Sequence, residues 1–162
     1  MGTQQILLIV LSVIIVGAAI AVGIQMFNSQ SYSANKSAIA ADAQSYASQI
    51  VQYYKTPESQ GGAGGKAENM TDVNIGSFIG WGGATLVNKN ENGDYAIGID
   101  ATYDNKVYVY GLGKEVSDGK SPAIKTTITF PAGTIDADVY DIAHNTDATA
   151  AAIEAAIKTV SP

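Results

Sequence analysis

The chain has 162 residues, a net charge of −6 and a pI near 4.5, with no arginine and no cysteine. That length allows one domain with a modest core and not two. Nucleic acid is a poor partner, because phosphate backbones need clustered cations. The missing thiols exclude disulfides, thiolate metal sites and a cysteine nucleophile.

Charge is unevenly spread. From Met1 to Asn35 there is no Asp, Glu, Lys or Arg, and all nine lysines and fifteen acids lie beyond. Within that stretch Ile6 to Phe27 is apolar apart from Ser12 and Gln25. As a helix it would span roughly 33 Å at about 1.5 Å per residue, against a hydrocarbon core of about 30 Å, which predicts a membrane segment. A secretory signal peptide would need a basic start and a shorter apolar run. MGTQQ carries no cation, and the A-x-A match near Ala38–Ala40 falls inside sequence that keeps helical spacing. Ile39, Ala43, Tyr46 or Ala47, Ile50 and Tyr54 recur at steps of three or four, the pattern of one apolar stripe. The prediction is a single rod from Gly2 to about Tyr54, roughly 80 Å long at the same rise. Lys55-Thr56-Pro57 ends it, since a residue before proline avoids helix.

Beyond the rod, GGAGGKAEN at 61–69 has the composition of a flexible linker or loop. Ala84–Val87, Tyr95–Ile99 and Val107–Tyr110 are strand-like, joined by turns at Asn92-Gly93 and Asp104-Asn105, where both residue types tolerate positive φ. Ile124, Thr126, Ile128 and Phe130 alternate with polar residues and form a half-buried strand ending at Pro131. Together these predict an antiparallel meander of about four strands lying across the helix stripe. The tail from Asn145 to Val160 is helical, with Asn145 or Thr146 as cap and Ile153, Ile157 and Val160 on one face. The fold class is α+β: a long N-terminal helix, an antiparallel sheet packed on its C-terminal half, and a short C-terminal helix. The divisions are residues 1–28 as apolar helix, 29–55 as its amphipathic continuation and 56–162 as a β-rich head.

Little of the chain carries the marks of catalysis. Asn88-x-Asn90-x-Asn92-Gly93 resembles the opening of a calcium loop, but the twelfth position is Ile99 where a bidentate glutamate belongs, so a hairpin turn is the better reading. The sole histidine sits in Asp136-Ala-Asp138-Val-Tyr-Asp141-Ile-Ala-His144. Such a set could hold a hard cation, but it reads first as a solvated acidic loop ahead of a helix N-terminus. Gly80-Trp81-Gly82-Gly83 and Gly111-Leu112-Gly113 lack the context of a nucleotide loop. No cofactor, metal or enzymatic activity is expected. The tyrosines near the helix read as packing anchors, not as a path for electrons.

An apolar N-terminal helix that runs into an amphipathic half beneath a small β-rich head resembles type IV pilins and pseudopilins. In sequence the resemblance covers about the first thirty residues. It implies that Met1 is exposed by prepilin peptidase and often N-methylated, and that the subunit waits in the cytoplasmic membrane. Pilus assembly machinery would then pass it into a homopolymeric helical filament on the cell surface. The assembly residues it implies are Met1, Gln4, Gln5, Ile6, Val13, Gly17, Gly23 and Phe27. Two positions depart from the pattern. Gln5 stands where bacterial pilins usually carry a glutamate that pairs with a neighbour's terminal amine. Val22, flanked by Gly17 and Gly23, stands near the position of a helix-breaking proline, so any break would be softer, and the glycines equally suit close helix packing. A membrane-anchored binding module and a minor pseudopilin of a secretion system are the alternatives.

Overall fold

The computed structural model describes residues 2–81, 87–99, 105–144 and 149–160. One helix, α1, runs unbroken from Gly2 to Lys55. Its C-terminal half buries Ile39, Ala43, Ala47, Ile50 and Tyr53, at the expected steps of three and four. The stripe ends on Tyr53 where the spacing had pointed to Tyr54. Tyr53 donates its hydroxyl to the carbonyl of Asn69 (3.0 Å), while Tyr54 lies at the border of the stripe with its ring 4.4 Å from that of Phe130.

The glycine-rich segment after α1 is no flexible linker. The last carbonyls of a helix have no partner within it, and here the loop supplies three. Ala63, Gly65 and Gly64 donate their backbone N–H groups to the carbonyls of Tyr53, Tyr54 and Thr56 (3.0, 2.8 and 2.9 Å). Ala63 is fully buried beneath the turn. A helix that the sequence pattern did not suggest, α2 (Asp72–Ile79), follows. Thr71 caps it by accepting from the Asn74 N–H, and Phe78 leans on Tyr53.

Five strands make one antiparallel sheet in sequential order: β1 (Val87–Lys89), β2 (Gly93–Ile99), β3 (Lys106–Gly113), β4 (Lys120–Thr129) and β5 (Thr134–Ala143). The expected strand start at Ala84–Leu86 and the Asp104 half of the second turn lie outside the described residues. The fifth strand corrects the reading of Asp136–Asp141 as a solvated loop. Its ten residues pair with β4 from Thr134↔Thr129 to Ala143↔Lys120, and an edge strand tolerates acids on its open face. The strands run along the helix, not across it. The end of β3 at Gly113 lies against Asn35, whereas Phe130, just past β4, stacks on Tyr54. The sheet therefore has a near end, by residues 32–42 of α1, and a far end by residues 50–55.

Alternation in the strands sorts the core into two layers. Tyr95, Ile97, Val107, Val109, Ile124 and Ile128 face α1. Tyr110, Leu112, Ala123 and Ile142 face the opposite way and are covered by Ile153 and Ile157 of α3 (Ala150–Val160). Thr149 caps α3, its hydroxyl accepting from the Ala152 N–H; the expected caps at Asn145 and Thr146 and the side chain of Val160 are outside the described residues.

Thr126 carries one of the buried polar atoms that sit badly in the described part of this core. Thr126 is fully buried between Ile124 and Ile128, and its hydroxyl has no hydrogen-bond partner. An unpaired buried hydroxyl costs on the order of 1–3 kcal/mol, and valine has nearly the same shape without it. Thr126→Val is therefore expected to raise stability by about 1 kcal/mol, measured by urea denaturation. An unchanged or lower midpoint would show that the hydroxyl is satisfied in solution.

Candidate functional site

From residue 2 to residue 30 every described side chain of α1 is exposed. The large aliphatic and aromatic side chains from Ile6 to Phe27 keep 52% to 71% of their surface open. An 18-residue window here has a mean hydropathy of 3.0 with none of it buried, so the helix is long and apolar enough to cross a membrane. The one hydroxyl between Ile6 and Phe27 is answered internally, Ser12 donating to the Ile9 carbonyl at 2.8 Å. Gln4, Gln5, Ile6, Val13, Gly17, Gly23 and Phe27 all lie on this part of α1, away from the head; Met1 lies outside the described residues.

Neither glycine breaks the helix. A Cβ added at Gly17 or Gly23 would meet nothing, so their use, if any, lies outside the single chain. Each is one half of a small pair four residues apart, Gly17 with Ala21 and Ala19 with Gly23. At 3.6 residues per turn the centres of the two pairs are separated by about 200°. The apolar rod thus carries two faces of close approach on nearly opposite sides.

The rod is seated on the head by a polar cluster around Asp42. This carboxylate interrupts the apolar stripe between Ile39 and Ala43 and reaches the near end of the sheet. Its Oδ2 accepts from the Asn90 and Asn92 amides (2.8 and 2.9 Å) and from the Tyr95 hydroxyl (2.8 Å). Asn90 Oδ1 accepts in turn from the backbone N–H groups of Asn92 and Gly93 (2.9 and 2.8 Å), which closes the β1–β2 turn. The asparagines that resemble a calcium loop are therefore donors to a carboxylate, not ligands to a cation. Partial burial pushes the Asp42 carboxyl upward, but the hydrogen bonds from Asn92, Asn90 and Tyr95 outweigh it and hold the pKa below its ordinary value. Burial and the bond to Asp42 push Tyr95 far up, so it stays a donor.

A second contact fixes the rod about two to three turns nearer its N-terminus. Asp141 of β5 accepts from Tyr32 and Lys36, each at 2.8 Å. The hydrogen bond from Lys36 leads in keeping its carboxyl low against partial burial, with Tyr32 helping. Between Tyr32 and Lys36 the Asn35 amide donates to the Asn92 carbonyl at 2.7 Å. Asn35 crowds Gly113 so closely that any Cβ there would collide with its side-chain oxygen.

The acids around His144 do not gather. Asp141 faces α1, while Asp136 and Asp138 lie on the other side of β5 by strand alternation. His144 Nδ1 instead lies 2.8 Å from the Ser121 hydroxyl. Among the described residues no three metal-ligating side chains come together. Sequence reasoning passed over Asp42, Tyr95, Asn35, Tyr32 and Lys36. The one signal available was an acid placed inside an otherwise apolar stripe. Compared with known protein families, with curated proteins and with solved structures, the chain matches none.

Because the folded pKa of Asp42 is depressed, its contribution is present above its ordinary value of 3.8 and is lost as pH falls through the lower folded value. Asp42→Ala is expected to cost about 3 kcal/mol at neutral pH, less than the sum of three charge-assisted bonds of about 1.5–3 kcal/mol each. The gap to the unaltered chain should shrink well below pH 3.8. Parallel denaturant titrations at the two pH values check this; a gap of constant size would mean that the carboxylate's charge is not what holds the seat.

Proposed function

We propose that this chain is a type IV pilin-like structural subunit, held in the membrane by α1 and then polymerised through the same surface. The observation that carries the reading is that one unbroken helix supplies both the core of the head and an uncovered apolar rod. In lipid such a rod needs no cover, since a helix satisfies its own backbone. In a fibre surrounded by water the same surface has to be covered by neighbours, with burial contributing about 25 cal/mol per Å² of apolar area. The two small-residue faces favour a subunit with neighbours over a tether, which needs only hydrophobicity. Contacts on two different faces are heterologous, and repeated they generate a helical polymer. The latches at Asp42 and Asp141 fit the same role, because a head that swivelled on its rod would not repeat in register. In this reading the chain is not an enzyme and takes no cofactor.

A charge in the middle of the rod tests the proposal. Val13→Lys places an ammonium at a cost of about 2.5–3.5 kcal/mol at the helix centre, and more where it must be packed between neighbours. It is expected to abolish filaments seen by electron microscopy while the head keeps its circular dichroism. Fibres in normal abundance would remove the rod from their core.

Gln5 gives a second test. An amide accepts a hydrogen bond from a neighbour's terminal amine without the desolvation penalty of a carboxylate, and a bond to a charged donor is worth about 1.5–3 kcal/mol. Gln5→Ala should therefore lower filament yield only in part, and Gln5→Glu should be tolerated. Complete loss of fibres with Gln5→Glu would refute this role.

A further inference from the structure

At the near end of the head the β3–β4 connection makes a narrow hairpin tip. Ser117 and Lys120 exchange both backbone hydrogen bonds (3.0 and 2.9 Å), and Asp118 and Gly119 turn between them with φ of 51° and 72°. Two left-handed residues in a two-residue loop form the type I′ turn that Asp-Gly favours. The N–H of His144 donates to the Gly119 carbonyl at 2.8 Å, which ties the tip to the end of β5.

This tip stands beside the rod at a particular depth. A cleft of about 440 Å³ is lined on one side by Gln25, Asn28 and Ser29 of α1 and on the other by Val116, Ser117 and Asp118. Gln25 to Ser29 covers about 6 Å of helix rise and brackets Phe27, where the apolar run ends. The polar layer on each side of a bilayer is only about 5–8 Å thick. With Ile6 to Phe27 across the hydrocarbon, Val116 falls inside that layer. Val116 is an aliphatic side chain left 43% exposed at a place on the head where exposure need not mean contact with bulk water.

We propose that the 116–118 tip and the facing turn of α1 form a surface that sits in the headgroup layer of a phospholipid bilayer before assembly. The inference rests on α1 crossing the membrane. Val116 goes in among the glycerol esters, while the amides of Gln25 and Asn28 and the hydroxyls of Ser29 and Ser117 meet phosphate and ester oxygens. The attraction is not Coulombic. Around this end, beside the Lys89–Asp94 ion pair, the acids Asp42, Glu91, Glu115, Asp118 and Asp141 outnumber Lys36, Lys114 and Lys120, so anionic lipid should bring no gain. The partner is the headgroup zone of a zwitterionic phospholipid, and the contact fixes which side of the head faces the membrane.

The chain has no cysteine, so single thiols can be placed and labelled with an environment-sensitive fluorophore in the full-length protein. Val116→Cys replaces an exposed side chain, Val73→Cys on α2 reports the far end, and Val13→Cys reports mid-span. In phosphatidylcholine vesicles the Val116 label is expected to shift to the blue and lose emission to a quencher carried on lipid headgroups. The Val73 label should do neither, and the Val13 label should lose emission to a quencher deep in the acyl chains. Adding phosphatidylglycerol should leave the Val116 result unchanged. If Val13 is deep while Val116 behaves like Val73, the headgroup surface is overturned and the spanning helix stands. If Val13 is also in water, the spanning helix fails and the headgroup surface fails with it. A Val116 signal that appears only with phosphatidylglycerol would overturn the zwitterionic assignment.

Discussion

A helix that is bare along one half and buried along a stripe of the other has to be built by two sets of rules that share one backbone. In α1 the hydrogen-bond ladder continues without a break from Gly2 to Lys55, so the phase of the apolar stripe under the sheet is locked to the phase of every side chain on the rod. The rod half is apolar all round. The head half has a narrow buried stripe, Ile39 to Tyr53, with open polar positions between. Everything else in the molecule takes its position from that stripe: one face of the sheet lies on it, the glycine-rich loop closes its end, and α3 seals the sheet from the opposite side.

Two kinds of force hold the head to the helix, and they do different work. Apolar burial between the stripe and Tyr95, Val109, Ile124 and Ile128 supplies most of the adhesion, but such contact is non-directional. A helix could slide or turn by one step under a smooth sheet at modest cost. The polar contacts forbid that. Asp42 meets three donors at one oxygen, and Asp141 meets two; a shift of one residue would strand the partly buried Asp42 carboxylate without partners, which costs far more than a lost apolar contact. Aromatic edges reinforce the register, with the Tyr46 ring 5.0 Å from Trp81 and 5.1 Å from Tyr95, both edge to face.

Much of this was legible in the residues because it follows from periodicity. The rod and the alternation of β4 depend on spacing, the stop at Lys55 on Pro57, and all three were found where those signals put them. The misses have physical causes of two sorts. Some segments read by composition are governed by unpaired backbone groups: GGAGGKAEN looks like a linker but answers the carbonyls at the end of α1, and the Asp-rich run 136–141 looks like a loop but has ten residues of β4 backbone to pair with. Others depend on meetings between distant residues. Asp42 lies 48 positions from Asn90 and 53 from Tyr95, and no local pattern announces that three side chains will converge on one oxygen. The Ser117-Asp118-Gly119-Lys120 turn was within reach of sequence reasoning, since Asp-Gly is a strong hairpin signal, yet it went unread among the longer strand patterns.

The strictly sequential strand order has a consequence for how the molecule comes into being. Each strand from β2 onward pairs with the one made just before it, and the helix on which all of them rest is made first of all. In a chain delivered N-terminus first, each strand from β2 onward therefore finds the strand it pairs with already made, while the α1 side chains Asp42, Tyr32 and Lys36 wait for β2 and β5. Local connectivity of this kind favours fast folding. It also means that the sheet edges stay open only briefly during delivery. The order of elements along the chain is thus an assembly schedule, in which the helix made first becomes the template on which the head is laid down strand by strand.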